Sequence, residues 1–249
     1  MIFIIRGYII KITFIGTGHG VPEAHKQCSA TLIETDNGRY LIDAGCDITS
    51  ELADRRIPPE SIKSIFITHP HHDHIDGLYP FLGVLSWYYR EANPSVFVPN
   101  SGCAELVHTY LNTFEEKLRP QQKLSVISNG TFYDDGIMRV TAYPTEHCKD
   151  SRAFLIECEN KRILFTGDLR NPNTDFPPVD NLDAVVFEGA HFPVTDYINI
   201  FKARNIKAAY MNHYANYIGI INLEKFVDLK NSVKPTQAYI TTDGMEISL

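Results

Sequence analysis

Four histidines lie within six residues of one another, and this cluster carries the clearest chemistry in the sequence. Residues 68–77 read Thr-His-Pro-His-His-Asp-His-Ile-Asp-Gly and directly follow an apolar run that ends at Ile67. Imidazole nitrogens and carboxylate oxygens suit Zn²⁺, with Mn²⁺ and Fe²⁺ as alternatives. The side chains of His69, His71, Asp73 and His74 can converge on a metal only if the backbone turns, as it does in a strand-to-helix loop. A solvated histidine-rich loop or a cloning tag is the rival interpretation, but a tag would be terminal and uninterrupted by Asp.

The pattern HxHxDH after a strand resembles the signature of the metallo-β-lactamase superfamily. In that family a further His, a bridging Asp and a last His follow in order, each at the end of a strand. This sequence offers His147, Asp168 and His213 in that order. Asp43, in Leu-Ile-Asp-Ala-Gly, resembles the early Asp that supports the metal loop. The resemblance extends over nearly the whole chain.

The resemblance implies a site for two divalent metal ions, with zinc expected first. Asp168 would bridge the metals, and a bridging hydroxide would act as the nucleophile, so Asp73 and Asp168 count as catalytic residues as well as ligands. Two cations, two carboxylates and one hydroxide leave a net charge of about +1, which would attract an anionic ester. The first metal would take His69, His71 and His147, and the second would take Asp73, His74 and His213.

Residues outside the ligand set indicate which branch of the superfamily the sequence resembles. The opening segment, residues 12–22, and the closing segment, residues 243–247, are similar to the phosphodiesterase branch that includes ribonuclease Z. Only 21 positions (168 − 147) separate His147 from Asp168, which leaves no room for the tRNA-grasping arm of that enzyme. Glu188 matches a family glutamate, but the histidine that precedes it in relatives is absent. The sequence is therefore more similar to arm-less phosphodiesterases of small cyclic or nucleotide phosphodiesters. A dinucleotide-binding loop at residues 16–20 is disfavoured because no third glycine opens a helix.

Several other residues could contact a substrate. His191, three positions after Glu188, is expected to protonate the leaving alkoxide, since an imidazole pKa of about 6.5 suits that role; an exposed loop histidine is the equal alternative. Surface or packing roles are expected for His72, His108 and Cys148. Two loop histidines border the site in relatives and could contact the substrate: His19 and His25. Three cations near the ligands could clamp a phosphate or simply be solvated: Lys149, Arg152 and Arg170.

Local patterns predict the elements that must position these residues. A hairpin turn with positive φ is predicted at residues 36–38, and an amphipathic helix is predicted from Ser101, with Ser101 as a candidate cap. A βα alternation follows in the second half, with helices at about residues 195–204 and 223–229. The resemblance implies an α/β fold, a four-layer αββα sandwich, and we expect one domain over residues 1–249. Strands are predicted at residues 8–15, 29–34, 39–43, 65–68, 137–143, 153–158, 162–166, 184–187, 207–211 and 237–241.

Composition limits the cellular setting and the partners. The chain has 249 residues with 44% hydrophobic side chains and a formal charge of −7, which disfavours a long nucleic acid as partner. Five cysteines without a CxxC pair indicate neither a disulfide framework nor a zinc ribbon. The sequence suggests neither a signal peptide nor a membrane span. We expect a cytoplasmic protein without a membrane partner, and a homodimer is left open.

These observations together predict a binuclear metal-dependent hydrolase, specifically a phosphodiesterase whose substrate is a small anionic ester. The alternatives on the same scaffold are a thioester or lactone hydrolase, a tRNA 3′-processing endonuclease, and a metal-binding module without turnover. β-Lactamase activity is disfavoured because no export signal is visible. An oxidative di-iron role is disfavoured because relatives of that type usually replace a ligand His with Glu, whereas His71 is retained.

Overall fold

Two seven-stranded sheets form the centre of the molecule in the computed structural model, which describes residues 10–215 and 223–249. The strands are β1 (Lys11–Gly16), β2 (Ala30–Thr35), β3 (Gly38–Ile42), β4 (Ile62–Phe66), β5 (Ser95–Val98), β6 (Leu124–Val126), β7 (Gly130–Asp134), β8 (Met138–Pro144), β9 (Arg152–Cys158), β10 (Lys161–Phe165), β11 (Leu182–Glu188), β12 (Ile206–Asn212), β13 (Gln237–Ile240) and β14 (Met245–Ser248). The helices are α1 (Ile48–Asp54), α2 (His72–Ile75), α3 (Leu78–Trp87), α4 (Ser101–Thr113), α5 (Pro172–Asp175), α6 (Ile198–Lys202) and α7 (Leu223–Ser232), with 3₁₀ turns at Pro59–Ser61 and Val194–Tyr197.

Each of the two sheets has an antiparallel half and a parallel half. The strand orders are β14-β1-β2-β3-β4-β5-β6 and β13-β12-β11-β10-β9-β8-β7. Pairing is antiparallel from β14 to β3 and parallel from β3 to β6 in the first sheet. In the second sheet it is antiparallel from β7 to β10 and parallel from β10 to β13. The carboxyl ends of the parallel strands in each sheet therefore share an edge, which is where open α/β sheets bind ligands.

Buried apolar side chains form three layers, as a sandwich of two sheets between helices requires. The alternation along a strand is visible in β2, where Ile33 packs between the sheets and Leu32 packs beneath the helices of the first sheet. Large aromatic side chains, including Phe14 and Phe66, fill the space between the sheets. Phe187 and Phe201 belong to the layer beneath the helices of the second sheet. The predicted αββα architecture is confirmed.

Most predicted strands and helices are present within two or three residues of their expected ends. The helix predicted from Ser101 is confirmed, but its cap is Asn100, whose side chain accepts a hydrogen bond from the backbone N–H of Cys103. The helix predicted near residues 195–204 is the 3₁₀ turn followed by α6. The start of the first predicted strand, at residues 8 and 9, lies outside the described residues.

The predicted hairpin turn is present but differs from expectation in its backbone conformation. None of the three residues of the turn at 36–38 has a positive φ. In the β9–β10 turn, by contrast, Glu159 and Asn160 have φ of 48° and 59°. A hairpin can turn without positive φ when the flanking strands accommodate it, so the Asn-Gly signal predicted the turn but not its backbone type.

No helix among the described residues is long and apolar enough to span a bilayer.

Candidate metal centre

The histidine cluster lies where β4 leaves the first sheet and turns into α2. His71 has an extended backbone (φ −67°, ψ 146°) and directly precedes α2, so Asp73 and His74 fall on the single turn of this helix. The end of β3 packs against that turn, since the backbone N–H of Ala44 donates to His74 and that of Gly77 donates to Ala44, both at 2.8 Å. The backbone thus turns as the spacing of the ligands requires.

The remaining candidate ligands come from the second sheet, at the same edge of the sandwich. His147 follows β8, Asp168 follows β10 and His213 follows β12. His213 has a φ of 50°, and Gly167, directly before Asp168, has a φ of 55°. A Cβ at Gly167 would lie 2.8 Å from the carbonyl oxygen of Arg152, so glycine permits both the turn and the close approach.

The structure brings His69, His71, His147 and Asp168 together, and we call these four the first ligand group. Nδ1 of His71 lies 3.1 Å from Nε2 of His69 and 3.0 Å from Nε2 of His147. Oδ2 of Asp168 lies 3.5 Å from Nε2 of both His69 and His147. A tetrahedral metal with bonds of about 2.1 Å places its donors about 3.4 Å apart, so these separations fit a zinc-sized ion.

Asp73, His74 and His213 form the second ligand group. Oδ2 of Asp73 lies 3.7 Å from Nε2 of His74 and 3.8 Å from Nε2 of His213. Asp168 reaches this group as well, with Oδ1 3.6 Å from Nε2 of His74 and Oδ2 3.2 Å from Nε2 of His213. The carboxylate of Asp168 therefore lies between the two groups, as a bridging ligand would.

Buried polar atoms without hydrogen-bond partners indicate that the centre is built for cations. Nε2 of His74 and Oδ1 of Asp168 are buried and have no hydrogen-bond partner, although both residues are nearly inaccessible to solvent. Unsatisfied buried polar groups are costly in a folded protein, and a bound metal would satisfy both atoms. The residues present therefore fit the pair of divalent ions that the sequence implies.

Two histidines of the centre are neutral at pH 7, which is the protonation state that binds a metal. Burial lowers the pKa of His69 well below its usual value and lowers the pKa of His147 to about 4, so both imidazoles are neutral at pH 7. Burial would also lower the pKa of His74, but the carboxylates of Asp168 and Asp43 outweigh it and hold this pKa well above its usual value. Metal binding is then coupled to the loss of a proton from His74.

The carboxylate of Asp43 orients the histidine loop from behind. Its Oδ2 lies 2.8 Å from Nδ1 of His74, while its Oδ1 accepts hydrogen bonds from the backbone N–H (2.7 Å) and the hydroxyl (2.9 Å) of Thr68. The Thr68 hydroxyl also lies 3.1 Å from Nδ1 of His69. Sequence reasoning expected Asp43 here but missed Thr68, whose only signal is a hydroxyl residue directly before the first histidine of the cluster.

His191 lies beside the first ligand group, on the loop after β11. Its Nδ1 is 2.8 Å from Oε2 of Glu188 and 3.8 Å from Oδ2 of Asp168, and its ring centroid is 4.6 Å from that of His147. Burial would lower the pKa of His191, but the hydrogen bond and the charge of Glu188 raise it to about 9. The imidazole is therefore protonated at neutral pH in the metal-free protein and lies within reach of a group bound at the centre.

Glu188 anchors this loop in a way that the sequence did not reveal. Its side chain is buried and accepts hydrogen bonds from the backbone N–H groups of Leu169 (2.7 Å), Ala190 (3.2 Å) and His191 (3.0 Å). These bonds tie the loop after β11 to the strand end that carries Asp168. The spacing of three residues between Glu188 and His191 was the only signal for the pair.

The other candidates lie at different distances from the centre. The His19 ring centroid is 6.1 Å from that of His213, so His19 borders the second ligand group, whereas His25 is exposed. His72 points away from the ligands, with a side chain that is 61% exposed. His108 is exposed on α4, and Cys148 is half-buried directly after His147, and neither side chain belongs to a ligand group. The three candidate phosphate clamps are Lys149 and Arg170, which are exposed, and Arg152, which is half-buried.

Comparison with curated proteins finds relatives that match part of the chain. The chain is 32% identical over 155 residues to ribonuclease BN of Cronobacter sakazakii, a match that covers 61% of this chain and 51% of that protein. The chain thus spans about half the length of the curated relatives that it matches.

Solved structures show the same fold. The metallo-β-lactamase fold protein YhfI from Bacillus subtilis has a TM-score of 0.80 at 17% identity and covers 97% of this chain and 100% of that one. A diphosphatase from the PhnP family has a TM-score of 0.69 at 16% identity and covers 97% of each chain. Likeness at these identities establishes the metallo-β-lactamase fold.

The family assignment rests on a longer sequence match. The profile of a family described as "Anti-Pycsar protein Apyc1" matches residues 10–195 of the 249 residues, a range that includes every ligand position except His213. The chain therefore belongs to the anti-Pycsar protein Apyc1 family of metallo-β-lactamase-fold proteins.

Proposed function

We propose that this protein is a metal-dependent phosphodiesterase that hydrolyses small cyclic or nucleotide phosphodiesters at a binuclear centre. The observation that carries the proposal is the position of Asp168 between the two ligand groups, 3.2 to 3.6 Å from donors of both. Two divalent ions held there would supply Lewis acidity toward a phosphoryl group and activate a water molecule. Zinc is the ion that the five histidines and two carboxylates favour, with manganese or iron as alternatives.

The chain's own residues orient and protonate the substrate. The two carboxylates leave a net positive charge when two divalent ions are bound, so an anionic ester is drawn to the centre although the whole protein is acidic. His191 carries a proton on the side of the centre next to His147 and would donate it to the departing alkoxide oxygen. Glu188 accepts from His191 at Nδ1, which leaves Nε2 as the donor.

The strand topology argues for a small substrate. The interval between His147 and Asp168 holds β9, β10 and their short connections, so no long arm extends from it. A large RNA would also need a basic surface, and the chain has 30 acidic against 23 basic residues. These features favour a small phosphodiester over a tRNA.

The proposal is tested by metal content and by hydrolysis of bis-p-nitrophenyl phosphate. We expect up to two zinc or manganese ions per chain after purification without chelator. Activity should be lost in His69→Ala and Asp168→Ala, which each remove donors from the ligand groups. A protein that binds metal but hydrolyses no ester would be the binding module instead, and preference for thioesters or lactones over phosphodiesters would identify the acyl hydrolase.

The role of His191 is tested by varying the leaving group. p-Nitrophenolate departs without protonation, whereas a nucleotide alkoxide needs a proton. We therefore expect His191→Ala to lower kcat by about 100-fold on a nucleotide phosphodiester and far less on bis-p-nitrophenyl phosphate. Equal losses on both substrates would contradict proton donation by His191. His72→Ala, which removes an exposed histidine at the start of α2, is the control.

We also propose a cellular compartment for the protein. All five cysteines are free, which agrees with a reducing compartment, and we propose the cytoplasm. Cell fractionation tests that assignment. The sequence left a homodimer open, and analytical ultracentrifugation of the purified chain tests it.

A further inference from the structure

The loop between β1 and β2 lies directly against the second ligand group. A Cβ at Gly20 of this loop would lie 3.2 Å from Cγ and 3.3 Å from Oδ2 of Asp73, so the loop backbone packs on that carboxylate. At the start of the loop, the carbonyl oxygen of Thr17 accepts a hydrogen bond of 3.0 Å from the backbone N–H of Tyr214, the residue after His213. The β1–β2 loop therefore contacts one ligand of this group and the neighbour of another.

A single carboxylate, that of Asp243, fastens both ends of the β1–β2 loop. Its Oδ1 accepts hydrogen bonds from the backbone N–H (2.9 Å) and the hydroxyl (2.7 Å) of Thr17. Its Oδ2 accepts a hydrogen bond of 2.6 Å from the backbone N–H of Gln27. Thr17 is fully buried, so without this carboxylate its amide and hydroxyl would lose their acceptor in a place that water does not reach.

Tyr214 carries this contact to the metal centre, because two further interactions hold its side chain. Its hydroxyl donates to the carbonyl oxygen of Thr241 at 2.7 Å, two residues before Asp243. The ammonium group of Lys26, from the β1–β2 loop, lies 3.0 Å from the centroid of its ring, which is a cation–π contact. The preceding residue, His213, has a φ of 50°, and a side-chain-bearing residue keeps such a backbone only where its surroundings hold it.

We propose that Asp243 is a positioning residue for the second ligand group. By fastening the β1–β2 loop it keeps the loop against Asp73 on one side, and through Tyr214 it keeps His213 in its left-handed backbone conformation on the other. The remaining histidine of the group is hydrogen-bonded to Asp43 instead. The inference rests on the metal centre of the proposed function, but not on which bond that centre hydrolyses.

The first test measures zinc affinity by competition with a chromophoric chelator, with no substrate present. In Asp243→Asn, the amide NH₂ would face an N–H of either Thr17 or Gln27 and break that hydrogen bond. We expect the zinc ion of the second group to bind about 10- to 100-fold more weakly, and that of the first group to change by less than about twofold. Asp47→Asn is the matched control, since this carboxylate also accepts from a backbone N–H (3.1 Å) and a hydroxyl (2.6 Å), both of Ser50, and both zinc affinities should stay unchanged.

A conservative pair at Thr17 tests the same link from the other side and does not depend on the folding of the Asp243 variant. Thr17→Val keeps the volume but removes the hydroxyl that donates to Asp243, whereas Thr17→Ser keeps the hydroxyl. We expect Thr17→Val to weaken zinc binding at the second group by about tenfold, as the loss of a hydrogen bond to a carboxylate implies, and Thr17→Ser to retain the wild-type affinity. Equal zinc affinities in the two variants would contradict the proposal.

A double-mutant cycle separates positioning from a general loss of stability. His213→Ala removes a donor of the second group and leaves the first group complete, so one zinc ion should still bind. In that background Asp243→Asn should change the affinity for this ion by less than about twofold, because its effect requires the second group. An equal loss for the remaining ion, or wild-type affinity for both ions in a folded Asp243→Asn protein, overturns the inference.

These outcomes stay distinct from the fate of the proposed function. A protein that shows the expected zinc affinities but hydrolyses no phosphodiester retains Asp243 as a positioning residue and loses the phosphodiesterase proposal. A protein that hydrolyses bis-p-nitrophenyl phosphate, and whose Asp243→Asn variant binds both zinc ions as the wild type does, retains the phosphodiesterase proposal and loses the role of Asp243.

Discussion

The single contact between Asp43 and His74 determines which nitrogen of that histidine can face a metal. Asp43 accepts from Nδ1 of His74 at 2.8 Å, so the proton that the ring loses on metal binding comes from Nε2, the atom that faces Asp73 and Asp168. Carboxylate partners of this kind fix the tautomer of a metal-binding histidine. Because Asp43 has a φ of 62°, which Asn adopts readily, its amide analogue can test the tautomer without adding backbone strain.

We predict that Asp43→Asn lowers metal affinity by about 10- to 100-fold. The amide oxygen would stay with Thr68, so the NH₂ group would face Nδ1 of His74 and favour the tautomer with a proton on Nε2. Competition with a chromophoric chelator measures the change. Asp36→Asn, the same substitution in an exposed turn, is the control, and unchanged affinity in a folded Asp43→Asn protein would refute the tautomer argument.

At the scale of elements, glycines allow the end of β3 to lie directly against the histidine loop. A Cβ at Gly77 would lie 1.7 Å from the carbonyl oxygen of Cys46, and a Cβ at Gly45 would lie 1.8 Å from that of Asp73. Both obstacles are backbone atoms, so a larger residue must push β3 and α2 apart. The position of Asp43 behind His74 depends on this contact.

We therefore predict that Gly77→Ala lowers the free energy of unfolding by about 2–3 kcal/mol and weakens metal binding. Gly83→Ala in α3 is the matched control, because its Cβ would meet only a ring carbon of Tyr110 at 3.7 Å. That change should be neutral or should stabilise the helix by about 0.5–1 kcal/mol. Urea denaturation of both variants measures the difference, and equal stabilities would contradict the packing argument.

A hydrogen bond between the sheets links two other elements, β3 and the β7–β8 turn. The hydroxyl of Tyr40, a fully buried residue, donates to Asp135 at 2.7 Å. Burial would raise the pKa of Asp135, but hydrogen bonds from the Met138 amide, from Tyr40 and from neighbouring groups hold it below its ordinary value. Folding therefore favours the ionised carboxylate, and its contribution to stability is present above pH of about 4 and is lost as the pH falls through the lowered folded-state pKa.

We predict that Tyr40→Phe lowers the free energy of unfolding by about 1–2 kcal/mol at pH 7. The gap between this variant and the wild type should narrow as the pH falls below about 4, where Asp135 becomes protonated. Tyr133→Phe, which removes a more exposed bond of 3.0 Å to the same carboxylate, is the control. Chemical denaturation across the acid range measures the free energy of unfolding of both variants. A difference from wild type that grows in acid would show that folding does not favour the ionised form of Asp135.

The sequence predicted the elements whose own residues carry the signal. The strands before His69, His147, Asp168 and His213 were predicted because each is a short apolar run that ends at a ligand-type residue. Strand β14 was not predicted, since it pairs with β1 across more than 200 residues and no local pattern contains that partner. The three-residue strand β6 is likewise too short to show a period.

Local sequence patterns also predicted only part of the candidate metal centre. Residue type and order identified the seven candidate ligands, which the structure brings together at one edge. Local sequence could not show that Glu188 is buried and accepts from three backbone amides, because those donors come from two separate loops. Nor could it show the cleft beside His71, because the start of α4 and the β8–β9 loop, which line it, meet only after the sheets pack.

For the whole molecule, the two ligand groups join its two halves. Each group takes donors from the loop after β4 of the first sheet and from strand ends of the second sheet. The first group combines His69 and His71 with His147, and the second combines Asp73 and His74 with His213. A metal in either group would therefore bind the folded sandwich and not the separated halves.

This arrangement predicts that metal ions stabilise the whole chain as one unit. At a free zinc concentration about 100-fold above Kd, each site should add about 2.7 kcal/mol to the free energy of unfolding, which raises Tm by roughly 5–10 °C. We expect one cooperative thermal transition, as the prediction of a single domain requires, and a lower Tm after exposure to a chelator. His213→Ala should lose part of the zinc response, whereas His108→Ala, an exposed change on α4, should keep all of it. Differential scanning calorimetry with and without zinc measures these Tm values. A Tm that zinc does not change, or two separate thermal transitions, would contradict the prediction that the metal centre joins the two halves.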